Sequence, residues 1–229
     1  MREIVLDTET TGFDPATGDR LVELGCLELI NQIPTGAVFH RYVNPEREMS
    51  EGAFKVHGLS TEFLSDKPRF AEIVDEFLAF VGDAKLVIHN AEFDIRFLDF
   101  ELQKAGRAPF GMGRAIDTLA LARRKHPAGP NSLDALCARY GVDNSRRTKH
   151  GALLDSEILA EVYAELTGGR QSALLLGAER RAAGVVATAR LTGRPAPLPS
   201  RLTEEEQAAH AAFVAGLGDK AVWKDYAAD

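Results

Sequence analysis

The stretch Ile4-Val5-Leu6-Asp7-Thr8-Glu9-Thr10-Thr11-Gly12 constrains this chain more than any other. Three apolar residues run straight into two acids, the pattern of a buried strand that ends on a charged site. Side chains alternate faces along a strand, so Asp7 and Glu9 point to the same side. Two carboxylates that share a face at the end of a buried strand repel each other and lose hydration, and such a site needs cations. The competing reading is an ordinary strand end with its acids in water, because acids are mostly exposed.

Acids at two further places weigh against that competitor. Apolar periodicity predicts a helix over 91–104 and another over 152–166. On the first, Asp94 shares a face with Phe97, Leu98 and Leu102. On the second, Asp155 lines up with Ile158, Leu159, Val162 and Leu166. These are core faces. A buried carboxylate without a partner costs several kcal/mol, and no Lys or Arg stands at a matching place in these stretches. Four inward carboxylates therefore call for a divalent metal, and oxygen-only ligands favour Mg²⁺ or Mn²⁺ over zinc. His150 precedes Asp155 by five residues, which is about 140° away round a continuous helix. It belongs just before the helix, on a hinge at Gly151, from where its imidazole swings toward the metals.

The rest of the chain supplies a frame. Strands are predicted over 21–30 and 36–43, with Pro34-Thr35-Gly36 as the hairpin turn, and a short one over 85–89. A helix over 69–81 closes on Gly82, Asn90 caps the helix at 91, and a strand at 115–116 leads into a helix to about 125. Asn131-Ser132 caps a further helix through Tyr140. Beyond Gly169 the texture changes: 184–202 is rich in Ala, Arg, Gly and Pro and reads as a mobile linker. Thr203 then caps a helix that opens with Glu204-Glu205-Glu206 and carries Phe213, Val214 and Leu217, with Trp223 beyond it. The expected organisation is a domain over 1–169, a linking segment over 170–202 and a tail over 203–229. A net charge of −7 argues against a protein that tracks nucleic-acid backbone by electrostatics alone. Cys26 and Cys137 fit no metal spacing and read as reduced core residues. Met1-Arg2-Glu3 leaves no room for a signal peptide, and no stretch reaches the ~20 apolar residues of a membrane span. The expectation is a cytoplasmic protein with no membrane partner.

Asp7-Thr8-Glu9, His89-Asn90-Ala91-Glu92-Phe93-Asp94 and His150-Gly151-Ala152-Leu153-Leu154-Asp155 resemble, in order, the three motifs of the DEDDh exonucleases. The run from Asn131 to Tyr140, continuing through Leu166-Thr167-Gly168-Gly169, resembles the epsilon proofreading subunits of bacterial DNA polymerase III. The resemblance spans residues 3–169 and resumes at Thr203 to His210 and near Trp223. It implies an RNase H-like α/β fold, with a mixed five-stranded sheet flanked by helices and a flexible C-terminal tail. It implies 3′→5′ hydrolysis of DNA with two Mg²⁺ or Mn²⁺ ions per site. Asp7 would bridge both ions, Glu9 and Asp155 would hold the one carrying the attacking water, Asp94 would support the second, and His150 would be the general base. On the substrate side, Asp7, Glu9 and Asp155 would be joined by Thr10, by the backbone N–H groups of Thr10 and Thr11, and by His57. His57 matches a substrate-contacting histidine of the epsilon subunits, although their acid five places earlier is Gly52 in this chain, with Glu51 one position off. His89 reads as structural, and Glu92 as an exposed first-turn acid. Tyr140 lies three residues before Asp143, which is not the spacing of the tyrosine-bearing sister subgroup.

Two partners follow from the resemblance besides a DNA 3′ end. Gln171-Ser172-Ala173-Leu174-Leu175-Leu176 is similar to the hexapeptide with which replication proteins bind the sliding clamp, through Gln171, Leu174, Leu175 and Leu176. Residues 203–229 would dock onto the catalytic alpha subunit of polymerase III. A free-standing RNA-processing exonuclease is the rival in the same chemistry, and an inactive polymerase-stabilising scaffold is the rival from another class. The linker and docking helix speak against the first, and the intact catalytic set against the second.

Overall fold

The computed structural model describes residues 1–168 and 202–217. The elements run β1 (Arg2–Thr10), β2 (Leu21–Ile30), β3 (Ile33–Tyr42), α1 (Glu51–His57), α2 (Thr61–Leu64), α3 (Phe70–Val81), β4 (Lys85–Ile88), α4 (Ala91–Lys104), β5 (Ala115–Asp117), α5 (Thr118–Lys125), α6 (Leu133–Tyr140), α7 (Ala152–Thr167) and α8 (Glu204–Gly216). The five strands form one sheet in the order β3-β2-β1-β4-β5. β1 is its centre, antiparallel to β2 and parallel to β4, so the sheet is mixed, as the resemblance implies.

The alternation along β1 sets two layers. Ile4 and Leu6 face α3 and α4, packing with Phe70, Ile73, Phe77, Ile95, Leu98 and Leu102. Val5 faces the other way, toward Leu159 and Tyr163 of α7. On its outer side α7 meets α5 and α6 through Ile158, Val162, Ala122, Leu136 and Cys137. The helix faces that carry Asp94 and Asp155 are thus core faces, as their periodicity predicts. Both cysteines are buried and free.

Glycine at 25 fixes where α7 begins. Gly25 of β2 stands opposite Asp7 of β1. A Cβ at Gly25 would come within 2.3 Å of the Ala152 carbonyl carbon and the Leu153 nitrogen. The first turn of α7 therefore rests on bare backbone, and Ser156 Oγ donates to the Gly25 carbonyl at 3.0 Å. This close approach is what sets Asp155 over the end of β1.

Two local expectations are corrected, and two helices appear that the sequence does not announce. The hairpin turns at Asn31-Gln32, with φ of 51° and 67°, not at Pro34-Thr35-Gly36. Two consecutive positive φ values match the strand twist, and asparagine tolerates that region. Pro34 lies within β3, which is an edge strand and can spare an N–H. Asn90 stands at the N-cap of α4 but in the left-handed region, and its side chain makes no capping bond. Finally, the stretch after Pro45 holds α1 and α2, capped by Ser50 and Ser60. Both are too short for apolar periodicity to reveal.

The chain divides into two units, Met1–Leu174 and Leu175–Asp229. In the second, Thr203 caps α8 with a capping box: its N–H and Oγ1 donate to Glu206, and its Oγ1 accepts from the Glu206 N–H. Phe213 on α8 and Leu217 at its C-cap are exposed. Among the described residues no helix is long and apolar enough to cross a membrane. The hexapeptide at 171–176 and Trp223 lie outside the described residues.

One buried ion pair ties β2 to α4. Arg20 donates from Nε and Nη2 to Glu101 at 2.6 and 2.9 Å, and from Nη1 to the Pro45 carbonyl. Removing one partner of such a pair strands a buried charge and costs about 3–5 kcal/mol. Glu101→Ala is therefore expected to lower unfolding free energy by that order in urea titrations, and a loss under about 1 kcal/mol would show the pair to be solvated.

Candidate active site

Four acids meet where β1 ends. Asp7 and Glu9 project from the strand on the face toward α7, and Asp155 comes down from the first turn of that helix. Asp94 enters from the first turn of α4 on the other side of the strand. Thr8, which points that way, donates its hydroxyl to Asp94 Oδ1 at 2.7 Å. Glu9, Asp94 and Asp155 are buried, and Asp7 is half-buried.

The electrostatics match that crowding. Burial drives the Asp7 carboxyl well above its usual range, and Asp94, Glu9 and Asp155 push it further. Glu9 is raised to about 8, first by burial and then by Glu23 and Asp155. Burial raises Asp94 to about 7 although the Thr8 hydrogen bond opposes it. Asp155 is the exception: burial pushes it up, but the Arg147 fork, with His150 beside it, outweighs burial and holds it below its usual value.

Two residues that sequence reasoning passed over shape this field. Arg147 donates to Asp155 from Nε at 2.6 Å and from Nη2 at 2.7 Å. This corrects the expectation that no Lys or Arg serves these acids. The loop before α7 folds back and brings Arg147 onto Asp155 from eight residues earlier, a placement that helical periodicity cannot show. Glu23 stands directly opposite Glu9 in the β1–β2 ladder, nearly fully buried, and its Oε1 lies 2.7 Å from His40 Nε2. Its only signal in the sequence is an acid inside the apolar strand 21–30.

His150 sits before α7 with Gly151 as the N-cap, as expected. It is exposed, with Nδ1 3.3 Å from Asp155 Oδ2. Glu9, His150 and Asp155 each bring one ligand atom within 4.8 Å of the others. Glu9 Oε1 is buried without a hydrogen-bond partner. An orphaned carboxylate oxygen among acids that cannot all ionise is the donor set that a hard divalent cation fits.

Two cavities open onto this centre. One of about 290 Å³ is lined by Asp7, His89, Asn90, Asp134, Arg147, His150 and Asp155 among others. The second, of about 470 Å³, lies beyond Glu9 and is walled by Thr10, Thr11, Phe13, Val56, His57 and Phe93 among others. His57 Nδ1 accepts the Leu59 N–H at 3.0 Å, so Nε2 carries the proton, and that buried Nε2 has no partner. The Thr11 N–H is not on offer, because it donates to the Arg20 carbonyl at 2.9 Å. The Thr10 hydroxyl donates to the Gly12 carbonyl. His89 Nδ1 lies 2.9 Å from Thr118 Oγ1, and Glu92 is exposed in the first turn of α4.

Comparison with known proteins decides the family. The sequence profile of the RNase T exonuclease family matches residues 4–163. The chain belongs to this exonuclease family. Its relatives include proteins named DNA polymerase III subunit epsilon. One from Rickettsia felis is 48% identical over 222 residues, spanning 95% of this chain and 97% of that protein. One from Escherichia coli K12 is 44% identical over 236 residues, with 97% of each covered. Among solved structures, exonuclease X in complex with 5′ overhanging duplex DNA superposes with a TM-score of 0.59 at 26% identity, over 72% of this chain and 90% of that one. The nuclease domain of 3′hExo, a DEDDh family member bound to rAMP, shares the fold with a TM-score of 0.63 at 16% identity, over 72% of this chain and 91% of that one. The exonuclease family is divalent-metal dependent, in keeping with the acid cluster of this member.

Raised carboxyls give the metal-free exonuclease a definite pH response. Folded Glu9 keeps its proton to about pH 8, whereas the unfolded chain releases it near 4.5. The native state thus binds the extra proton, and stability falls as pH rises across that window. In EDTA, melting temperature is expected to drop from pH 5 to pH 8, and Glu9→Gln is expected to flatten the drop. An identical slope in wild type and Glu9→Gln would show that Glu9 is already ionised.

Proposed function

We propose that this chain is the proofreading 3′→5′ exonuclease of a replicative DNA polymerase and releases nucleoside monophosphates from a DNA 3′ end. The observation that carries the reading is the set of four carboxylates from β1, α4 and α7 converging on one point with Glu9 Oε1 unpaired. The relatives named DNA polymerase III subunit epsilon, matched over nearly their whole length, support the polymerase assignment. They favour DNA over RNA as substrate, and a cytoplasmic setting.

Asp7, Glu9, Asp94 and Asp155 would hold two Mg²⁺ or Mn²⁺ ions, with Asp7 shared between them. Such a pair, when bound, stabilises the attacking and leaving oxygens of an in-line displacement. The remaining work falls to the chain. His150 accepts a proton from the attacking water, being exposed at the mouth of the site beside Asp155. The P–O3′ bond breaks, leaving a new 3′-hydroxyl on the strand and a 5′-phosphate on the released nucleotide. The larger cavity beside Glu9 takes the terminal nucleotide. His57 offers an Nε2–H donor there, and Phe13 and Phe93 offer aromatic faces for a base. The acids would repel a phosphodiester without the cations, so substrate binding and metal binding depend on each other.

The catalytic domain would be 1–169, with a linker over 170–202 and a polymerase-docking tail over 203–229. A helix as short as α8 is marginal alone in water, and its exposed Phe213 and Leu217 give it an apolar surface for a partner. Gln171, Leu174, Leu175 and Leu176 would engage the sliding clamp. A tether of this kind keeps the exonuclease at high local concentration beside the primer end.

A 3′-mismatched DNA primer, and an RNA strand of the same sequence, test the reading with Mg²⁺ and with EDTA. Hydrolysis of the DNA in Mg²⁺ alone is expected. His150→Ala is expected to slow turnover roughly 10²–10⁴-fold while metal binding survives. A chain ending at Gly169 should digest single strands but not co-purify with the polymerase. Activity in EDTA, preference for RNA, or full binding by the shortened chain would each contradict its part of the proposal.

A further inference from the structure

Arg147 lies on a short loop between α6 and α7, and its guanidinium spends nearly every donor on the catalytic centre. Nε and Nη2 clasp the two oxygens of Asp155 at 2.6 and 2.7 Å. Nη1 reaches both oxygens of Asp134, in the first turn of α6, at 2.9 and 3.0 Å. Nη2 also lies 2.8 Å from His150 Nδ1. The Arg147 side chain is only 8% exposed, whereas that of Asp134 is 60% exposed. The His150 N–H donates to the Val56 carbonyl, which ties the end of the same loop to α1.

This geometry conflicts with metal binding. Both oxygens of Asp155 already accept from the fork, and a cation seated on either would face a guanidinium held at hydrogen-bond distance from the same carboxylate. Like charges at that separation repel strongly in a half-buried site. The second clasp supplies the resolution: Asp134 is already bonded, lies outside the acid cluster and is open to solvent. We propose that Arg147 is the resident counter-ion of the metal centre, a positioning residue that holds Asp155 and His150 in place and passes wholly to Asp134 when divalent cations take Asp155. The inference rests on the proposed role of Asp155 as a metal ligand. It assigns to Arg147 and Asp134 a function that the five catalytic positions do not include.

Two consequences separate this from a merely structural salt bridge. A structural arginine would leave metal affinity unchanged or lower it when removed, because the site would loosen. A resident counter-ion competes with the metal, so its removal tightens metal binding. Calorimetric titration of Mn²⁺ into the full chain without DNA, at pH 7.5, reads this directly. Arg147→Gln is expected to bind Mn²⁺ about thirtyfold more tightly than wild type, the factor for removing one unit charge some 4 Å from a dication at the dielectric of water. Arg147→Lys keeps the charge but loses the fork, and is expected to fall between the two. It also serves if Arg147→Gln does not fold in EDTA. In ¹⁵N-edited spectra, the Arg147 Nε–H signal, assigned by its absence from Arg147→Lys, is expected to shift on saturation with Mg²⁺.

Asp155→Asn provides the control. Loss of Mn²⁺ binding in Asp155→Asn together with tighter binding in Arg147→Gln supports the counter-ion. Loss in Asp155→Asn with unchanged or weaker binding in both Arg147 variants overturns the counter-ion and leaves the metal reading standing. Wild-type binding in Asp155→Asn overturns both. An Arg147 signal unmoved by saturating Mg²⁺ also overturns the transfer to Asp134.

Discussion

Repulsion among carboxylates at the end of β1 is the constraint on which the rest of the structure turns. A central strand delivers Asp7 and Glu9 to one point, and two helices add Asp94 and Asp155 from opposite layers. Neither helix could do so by its own periodicity alone. α7 reaches Asp7 because Gly25 lacks a Cβ and lets the Ala152–Leu153 backbone lie against β2. α4 is registered by the Thr8–Asp94 hydrogen bond. The apolar layers around Leu98 and Leu159 carry the stability that makes this concentration of charge affordable.

The same repulsion links folding to function. Three of the acids hold protons more tightly than free carboxyls, and the fourth is kept ionised by Arg147. A cation at this point would relieve what the fold strains to hold. Ligand binding to a native state stabilises it by mass action, so the site is more stable charged with metal than without it. On the proposed reading Asp155, held ionised by Arg147, would be the first ligand, and Arg147 the group that would yield.

Much of this was legible in the sequence, and for a physical reason. Strand alternation and helical periodicity report which face a residue occupies, so acids on core faces stood out at Asp94 and Asp155, and Asp7 and Glu9 paired on one strand. Periodicity is silent on loops and on cross-strand neighbours. Arg147 therefore went unassigned, because its partner is chosen by how residues 141–151 fold back. Glu23 was missed because opposition to Glu9 depends on hairpin register, which turns on Asn31-Gln32 rather than on Pro34-Thr35-Gly36. Asn90 occupies the expected cap but in a left-handed conformation, which helical periodicity does not register.

On the proposed function, one acid cluster at the end of β1 would bind the catalytic metals. An anomalous difference map from crystals grown with Mn²⁺ and a nucleoside monophosphate tests it most directly. Peaks are expected in contact with Asp7, Glu9 and Asp155 and with Asp7 and Asp94, with the Arg147 guanidinium bonded to Asp134 alone. Manganese bound elsewhere, or a guanidinium still clasping Asp155 with no metal beside Asp7, would contradict it.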